Sequence, residues 1–567
     1  MNEAANRLSK VLPFVLCLAA LLFMLLSARV LIRNIGVFHD ELWDAIPAAA
    51  MIRAEPRLAA QELQIGGYPL PLVTGPYQGA LKTWVLAPLM LLLGSSPALL
   101  RALNVLFCMI YLAVLYRALL PVVDRTWASL IFLAPLLDTN LLITAPMDMG
   151  PMLFQCIFAS LTAGALFHYM SSSRLKHCWL AWFFCGCTLA QKLTSVPIVI
   201  SISIAVCVLS CRHFLRTVRE TGLVRAAGSF IVIPSILFLV PLLPHIVYFL
   251  KSGLRPLQEM TSEGVQISYL TEMGHNISFW FIMFGGVDWY QRITGISGFD
   301  MVAISPLAVF GVAAMAVSTW FCLLSRKERR VCRPPLACIS LAVLSFSLFP
   351  CFRGLHRPWH FYPLAPLFLC CCVVCTKHCV SFLAAKSPRF ATAIKVVLIV
   401  GLAACIIQGA FHGTRILRRI ETHKGVCISS PSIMDLYRSI VALRLKTVYT
   451  FNYSLAYPIY VLSNGKIRVE ELVWEPLTRE KIDELFARIQ ADSGSGIVYR
   501  NCGSKQVDRE RVGWYNREPE AFQFISRVET GKDNLAVVRH RDLRETEFVL
   551  VHRGDRESAH SDGADDR

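Results

Sequence analysis

A short acidic segment, residues 38–44, follows the first long apolar run of the chain. In it, Asp40 and Glu41 are adjacent and stand beside His39, with Trp43 close by. Ionisable groups near membrane depth are costly to desolvate and are therefore candidates for function. A carboxylate held in a partly dry cavity can act as a general base. The alternative interpretation is a solvated loop that carries an interfacial tryptophan.

Two further carboxylates, Asp138 and Asp148, lie in an otherwise apolar part of the chain. Asp148 comes just before Gly150 and the next apolar run, so we expect it near a helix N-terminus, where negative charge is stabilised. A plain helix cap explains Asp148 about as well as a functional role does. For Asp138 the cap explanation is weaker, because its flanking residues are apolar.

Basic residues mark two places that interrupt apolar runs. Lys192 lies in the sequence Gln191-Lys192-Leu193-Thr194, where a lysine either extends its ammonium to the membrane surface or binds an anion. The second place contains Arg353, His356, Arg357, His360 and Tyr362. Arginine offers bidentate contacts to phosphate, so this set predicts an anion site, with a phosphate group as the expected ligand. A metal site at the two histidines is disfavoured, because Pro358 stands between them.

Composition decides which class of protein must position these residues. The chain has 567 residues, of which 55% are hydrophobic and 17% charged, and its mean hydropathy is +0.51. These values exclude a simple soluble enzyme, a disordered chain and a fibrous protein. The net charge of +17 does not indicate nucleic-acid binding, because basic residues also accumulate in the cytoplasmic loops of membrane proteins. The sequence predicts a polytopic α-helical membrane protein.

Eleven apolar runs have about the length and composition expected of spans. They are residues 11–26, 98–118, 127–144, 151–170, 178–190, 193–211, 227–250, 300–324, 335–351, 359–376 and 390–411. The run at 81–94 is shorter and predicts an interfacial or re-entrant helix. With the N-terminus in the cytoplasm, every strongly basic short loop then falls on the cytoplasmic side. The acidic segment, Lys192 and the 353–362 region are then predicted to lie on the outer face.

The same map predicts the domain organisation. Residues 1–411 form the transmembrane catalytic domain, in which 31–97 is the first outer loop with juxtamembrane helices. The outer loop 251–299 either covers a site as a lid or is a solvated loop without a chemical role. Residues 412–553 are predicted to form a small extracytoplasmic α/β domain, and the charged tail 554–567 is predicted to be disordered. The α/β domain has helical patterns at 432–445 and 479–491, and strand patterns at 447–451, 496–499 and 548–552.

Three functions are weighed against these features. The absence of a Walker or dinucleotide glycine loop and of a GxSxG motif argues against an ATP-driven pump and a serine hydrolase. A lipid or anion transporter should carry polar groups near the middle of its spans, whereas the clusters here lie at one surface. A membrane-anchored assembly protein acting through its C-terminal domain should carry its notable residues there, and 421–542 shows no catalytic cluster. An enzyme acting at the membrane surface is the preferred hypothesis.

The order of these motifs resembles the C-type (GT-C) membrane glycosyltransferases, which include protein O-mannosyltransferases and the lipid A aminoarabinose transferase. The matching parts are His39-Asp40-Glu41 after the first span, the stretches 67–70 and 77–82, Arg101 at the start of the second span, Asp148 or Asp138, Gln191-Lys192-Leu193-Thr194, and the segment 356–366. The resemblance covers about residues 1–410. It implies the fold of this superfamily and an active site on the outer face.

The resemblance also implies a mechanism. A polyprenyl-phosphate sugar binds with its phosphate near Lys192, Arg353 and Arg357, helped by His356, His360 and Tyr362. In one inverting step, Asp40 deprotonates or orients a hydroxyl of the acceptor, which attacks the anomeric carbon. Glu41 and Asp148 position Asp40 or the acceptor. Alternatively, Asp40, Glu41 and Asp148 are the candidate ligands of a divalent cation, the only cofactor considered. His39, Lys82 and Arg101 have structural or positioning roles.

The expected partners follow from this reading. They are the lipid-linked donor, a glycan, lipid or protein acceptor, and the membrane lipid, and nucleic acid is not expected. The predicted location is a bacterial inner membrane with the site on the periplasmic face, and the alternative is the lumenal face of the endoplasmic reticulum. Sequons at Asn276 and Asn452 lie on the predicted outer side.

Overall fold

The computed structural model describes residues 2–37, 39–53, 61–75, 78–148, 150–253, 273, 306–324, 329–348, 364–424, 431–450, 453–471, 479–502, 535–541 and 546–553. Most of these residues are helical. The outer loop predicted at 251–299 and the tail predicted at 554–567 lie almost entirely outside the described residues.

The part of the chain up to residue 424 consists of helices and one small three-stranded sheet. In chain order its elements are α1 (Asn2–Asn34), a 3-10 turn (His39–Leu42), α2 (Ala45–Arg53), β1 (Gln61–Ile65), β2 (Tyr68–Gly75), β3 (Gln78–Gly79), α3 (Leu81–Leu93), α4 (Pro97–Leu119), α5 (Arg125–Ser129), a 3-10 turn (Leu130–Leu133), α6 (Ala134–Leu137), α7 (Thr139–Met147), α8 (Met152–Ser172), α9 (Leu175–Gln191), a 3-10 turn (Leu193–Ser195), α10 (Val196–Thr221), α11 (Leu223–Ala227), a π turn (Gly228–Val232), α12 (Ile233–Leu239), a 3-10 turn (Val240–Leu242), α13 (Leu243–Ser252), α14 (Pro306–Leu324), α15 (Arg329–Leu348), α16 (Ala365–Lys386) and α17 (Pro388–His423).

Within the described residues, seven helices are long and apolar enough to cross a membrane. An eighth span results if the pair 125–137 and 139–147, bent by 81°, counts as one. The other three predicted spans coincide with α9, α14 and α15, whose described apolar parts are shorter. Where the structure describes them, the eleven predicted runs are therefore mainly helical, and the prediction of a polytopic helical membrane protein is confirmed. Helices α10 and α17 continue past their predicted ends, because hydropathy reports depth in the membrane and not where hydrogen bonding stops.

The stretch at 81–94 is the 13-residue helix α3. At 1.5 Å per residue, such a helix is about 20 Å long, which is too short for a hydrocarbon core of about 30 Å. Its C-terminal residues Leu91, Leu92 and Leu93 are exposed, as expected of a helix in contact with lipid. The length of α3 agrees with the interfacial or re-entrant helix predicted from the sequence.

Close helix packing depends on small residues at the crossings. Gly186 of α9 lies against the backbone carbonyl of Phe238 in α12, where an added Cβ would overlap the carbonyl oxygen. Similarly, a Cβ on Gly164 of α8 would lie 2.9 Å from the Cβ of Ala118 in α4. These two crossings rely on the absence of a side chain.

Gly186→Ala is expected to lower the free energy of unfolding by about 1–3 kcal/mol, because helix backbones cannot yield as a flexible side chain does. The change is measured by thermal unfolding in detergent. Gly401→Ala, in exposed α17, is the matched control, since nothing lies within 4 Å of a Cβ built there. Equal effects of both substitutions would contradict the proposed packing role.

The C-terminal part of the chain contains a five-stranded sheet. Its elements are α18 (Ser432–Ala442), β4 (Thr447–Thr450), α19 (Tyr453–Leu462), β5 (Arg468–Glu471), α20 (Arg479–Ala491), β6 (Ser495–Cys502), β7 (Leu535–Arg541) and β8 (Thr546–Arg553). The strand order is β5-β4-β6-β8-β7, in which β4 pairs parallel to β5 and β6, and β8 pairs antiparallel to β6 and β7. A buried apolar cluster that includes Ile433, Leu436, Val448 and Leu550 joins the sheet to its helices.

The two predicted helices and three predicted strands of this region coincide with α18, α20, β4, β6 and β8. Helix α19 and strands β5 and β7 were not predicted. The proposed domain boundary at 411–412 falls within the continuous helix α17, so the division of the chain stays a prediction.

Helix α19 packs against the acidic segment. It contacts the 3-10 turn at His39–Leu42, and the ring of Tyr457 meets the ring of Trp43 edge to face at 6.1 Å. The guanidinium of Arg53 donates to the carbonyl of Asn464 at 2.7 Å. The C-terminal part of the chain therefore supports the acidic segment directly.

Candidate functional site

Four charged residues from separate connections meet in one buried cluster. Asp44 follows the first 3-10 turn, Lys82 lies in the first turn of α3, Asp148 ends α7, and Lys192 connects α9 to the next 3-10 turn. All four side chains are at least 96% buried. Since each comes from a connection between helices, the packing of the helices is what brings the charges together.

Lys82 is at the centre of this cluster. Its Nζ lies 2.7 Å from Asp148 Oδ2 and 3.6 Å from Asp44 Oδ2, and it donates to the carbonyl of Gly150 at 3.2 Å. A buried cation between two carboxylates offsets part of the desolvation penalty of each. Lys82 thus holds the connections before α2 and before α8 next to one another.

Asp148 is held in place by its backbone as well as by its partners. Its φ of 35° is in the left-handed region, which is unusual for a residue with a side chain. In this conformation Oδ1 accepts a hydrogen bond from the backbone N–H of Leu153 at 3.0 Å, while Oδ2 faces Lys82. Asp148 therefore stabilises the start of α8, as the sequence predicted, and also belongs to the charged cluster.

Lys192 is fixed by its neighbours and lies beside Asp148. Its backbone forms an isolated antiparallel bridge with Gln78, and its carbonyl accepts hydrogen bonds from Gln155 at 3.1 Å and Ser195 at 2.7 Å. A Cβ built on Gly150 would lie 3.7 Å from Lys192 Nζ. The positive charge of Lys192 lowers the pKa of both Asp44 and Asp148. The four charges balance, with two acids and two bases.

A second buried ion pair holds the acidic segment to the membrane helices. Arg101 is fully buried and binds both carboxylate oxygens of Glu41, at 2.8 and 2.9 Å. It also donates to the carbonyls of Leu31, Ile35 and Gly36 at the end of α1. Arg101 thereby fixes the turn that carries Asp40 and Glu41, which agrees with the positioning role expected of it.

Burial changes how the acids of the cluster titrate. Desolvation raises the pKa of Asp44 to about 6, although the charge of Lys82 acts in the opposite direction. Desolvation also raises the pKa of Asp148, again opposed by Lys82. A carboxyl group with a pKa near 6 exchanges its proton close to neutral pH, as proton transfer in catalysis requires.

The free energy of unfolding is expected to fall as pH rises from about 4 to about 6. In this window the folded protein retains a proton on Asp44 that the unfolded chain has already released. Asp44→Asn is expected to remove this part of the pH dependence, as measured by unfolding in detergent across the window. Asp435→Asn, at a solvent-exposed ion pair with Arg438, is the control. An unchanged slope in Asp44→Asn would show that the carboxyl group is not desolvated as described.

The remaining predicted site residues fall into two groups. Asp138 caps α7 at the 81° bend, where Oδ1 accepts from the N–H groups of Asn140 and Leu141. The structure therefore gives Asp138 a structural role and places Asp148, not Asp138, beside Lys82. The side chains of His39 and Asp40, and all of Arg353, His356, Arg357, His360 and Tyr362, lie outside the described residues.

Asp44 and Gln78 belong to the site and were not among the predicted site residues. Asp44 is the last residue of the acidic segment 38–44, so the argument that selected Asp40 and Glu41 applied to it as well. No local pattern marks Gln78, because it is brought to Lys192 by an isolated backbone bridge between two residues far apart in the chain. Among the residues that the structure describes, no group of three or more His, Cys, Asp or Glu is arranged to hold a metal ion.

Comparison with known proteins gives matches of structure only. No family model matches the chain, and no curated protein is significantly similar to it in sequence. The crystal structure of ArnT from Cupriavidus metallidurans in the apo state matches with a TM-score of 0.54 at 13% identity, over 95% of this chain and 97% of that one. The same ArnT bound to undecaprenyl phosphate matches with a TM-score of 0.52, at the same identity and coverage.

The archaeal oligosaccharyltransferase AglB from Archaeoglobus fulgidus, in complex with an inhibitory peptide and a dolichol-phosphate, gives a TM-score of 0.38 at 10% identity, over 84% of this chain and 69% of that one. That likeness is too low to support an argument, so the fold assignment rests on ArnT. The fold predicted from the sequence is confirmed: this chain is a polytopic helical membrane protein whose fold is similar to that of ArnT.

Proposed function

We propose that this protein is a membrane glycosyltransferase that moves a sugar from a polyprenyl-phosphate-linked donor to an acceptor on the extracytoplasmic face. The observation that carries the proposal is the buried cluster of Asp44, Lys82, Asp148 and Lys192 at the helix connections of an ArnT-like fold. Balanced acids and bases in a dry site suit a reaction in which a hydroxyl loses its proton and a phosphate leaves.

Lys192 is the proposed contact for the phosphate of the donor. Its ammonium lies next to Gly150 and the amide of Gln78, since a Cβ built on Gly150 would lie 3.7 Å from Lys192 Nζ and 3.3 Å from Gln78 Nε2. As the bond between the anomeric carbon and the phosphate oxygen breaks, negative charge grows on the departing lipid phosphate, and a fixed cation stabilises it. Arg353 and Arg357 are proposed to share this task. The ArnT structure with bound undecaprenyl phosphate shows that this fold can hold a lipid phosphate.

Asp40 is the proposed base. It directly precedes Glu41, which Arg101 fixes, and lies four residues before Asp44, so its backbone is held beside the cluster. Asp40 removes the proton of the acceptor hydroxyl, whose oxygen attacks the anomeric carbon on the face opposite to the phosphate. The configuration of the sugar is therefore inverted. Asp44 and Asp148, each held by Lys82, are proposed to orient the acceptor.

The test measures sugar transfer by purified protein from a panel of polyprenyl-phosphate sugars. We expect turnover by the wild type and a loss of about 10²–10⁴-fold in Asp40→Asn, with lipid binding retained. Asp435→Asn serves as the surface control. If Asp44→Asn abolishes transfer and Asp40→Asn does not, the base is Asp44, and the function stands. If the wild type transfers no sugar from any donor of a broad panel, the proposed function is wrong.

A further inference from the structure

Polar side-chain atoms without partners are concentrated around Lys192. They are Oε1 of Gln78, Gln155 and Gln191, and Oγ1 of Thr194, none of which has a hydrogen-bond partner among the residues described. Each of these residues is at most 4% exposed. Leaving one such buried group without a partner costs about 1–3 kcal/mol. Native proteins contain few such groups, so several in one place call for an explanation.

The unpartnered groups are neighbours through Lys192 and two glycines. Gln78 forms the bridge with Lys192, and a Cβ on Gly150 would lie 3.3 Å from Gln78 Nε2 and 3.7 Å from Lys192 Nζ. A Cβ on Gly79 would lie 3.3 Å from Gln191 Nε2. The amide of Gln78 therefore lies beside the ammonium, and the amide of Gln191 lies where β3 packs closely against the end of α9. Gln155 differs from the other two glutamines, because its amide nitrogen donates a hydrogen bond to the carbonyl of Lys192.

The chemistry of these groups indicates which ligand would satisfy them. A side-chain amide offers an acceptor and a donor, and a threonine hydroxyl offers both. The unpartnered atoms are amide oxygens and one hydroxyl, so the ligand must donate hydrogen bonds, which a deprotonated phosphate cannot do. A hydroxyl and an ammonium both donate, but an ammonium would add a positive charge that needs a negative partner. The cluster also has no surplus charge, because Lys82 lies between Asp44 and Asp148, and Lys192 stands beside them. A neutral, hydroxyl-rich group is the best match.

We propose that Gln78, Gln191 and Thr194 form a subsite for the sugar of the donor, and that this sugar is neutral. This inference rests on the proposed function and adds to it the class of sugar and the residues that bind it. The subsite lies next to Lys192, so that a sugar and the phosphate attached to it can be bound together.

The test compares binding of polyprenyl phosphate with binding of polyprenyl-phosphate mannose, to wild type, Gln78→Met and Gln191→Met in detergent. We expect the wild type to bind the sugar-bearing lipid at least about 10-fold more tightly than the bare lipid. Each variant should lose most of this difference and keep the wild-type affinity for the bare lipid. Gln64→Met, in the exposed part of β1, is the control. Thermal unfolding should change little in the variants, because the amide oxygens removed had no partner in the protein.

A second measurement does not depend on how the variants fold. Monodeoxy hexose donors are offered to the wild type, and at least one should bind about 10-fold more weakly than the parent donor. Equal affinity of the wild type for the bare lipid, the hexose lipid and all deoxy donors would overturn the subsite. Variants that keep the full preference for the hexose lipid would also overturn it.

The results separate the two proposals. If the preference depends on the glutamines but the wild type transfers no sugar, the subsite stands and the proposed function falls. If the wild type, Gln78→Met and Gln191→Met all transfer sugar equally well, the function stands and the subsite falls.

Discussion

Arg101→Met is expected to lower the free energy of unfolding by about 3–5 kcal/mol, because it leaves Glu41 as a buried charge without its cation. The side chain of Arg101 is fully buried and contributes five of the contacts that join α4, the end of α1 and the acidic turn. Methionine has a similar length but replaces none of the donors. The change is measured by equilibrium unfolding in detergent.

Two further variants show whether charge is the cause. Glu41→Gln combined with Arg101→Met removes both charges and should recover part of the loss, since a neutral buried amide costs less than a carboxylate. Arg117→Met, at an exposed position of the same helix, should change stability little. If Arg101→Met alone is as stable as the wild type, the Glu41–Arg101 pair does not hold the acidic segment to the membrane helices.

Lys82→Met is expected to reduce sugar transfer at pH 7 by about 100-fold or more, because it removes the cation that two buried acids share. Burial alone would lower the pKa of Lys82, but the charges of Asp148 and Asp44 raise it above its usual value. Lys82 is therefore protonated throughout the neutral range. Without Lys82, the pKa of Asp44 should rise above its value of about 6, and that of Asp148 should rise with it.

The pH profile distinguishes this effect from simple unfolding. A higher pKa means that a larger share of the carboxyl groups is protonated at pH 7, so the acid limb of the activity profile should move to higher pH. Part of the lost activity should then return in alkaline buffer. Lys377→Met, at a partly exposed pair with Asp124, is the control and should leave the profile unchanged. If the Lys82→Met enzyme has the wild-type pH profile, Lys82 does not act as the cation that the two buried acids share.

Hydropathy and the order of motifs predicted much of the architecture. The described parts of the eleven apolar runs are mainly helical, and the short run at 81–94 is a short helix, because transfer into lipid depends on local composition summed over about 20 residues. The amphipathic patterns of the C-terminal part located α18, α20 and three strands of its sheet. Strands β5 and β7 were missed, because short strands become stable only through partners that lie elsewhere in the chain.

The acidic segment, Asp148 and Lys192 were also recognisable from the sequence, since charged residues that border apolar runs are rare. Their roles in the reaction stay predictions. The apolar residues around Asp138 made a helix cap less expected there than at Asp148, and that expectation was wrong. Only the folded chain shows that the first caps a bent helix and that the second faces Lys82.

The partners inside the site were decided by tertiary structure alone. Lys82 meets Asp148 across 66 residues of chain, Arg101 meets Glu41 across 60, and Gln78 meets Lys192 across 114. Such contacts leave no periodic signal, because each depends on how helices from different parts of the chain cross. Burial then determines the chemistry: the same carboxyl group on an exposed loop would not have a pKa near 6, and the same glutamine would bind water.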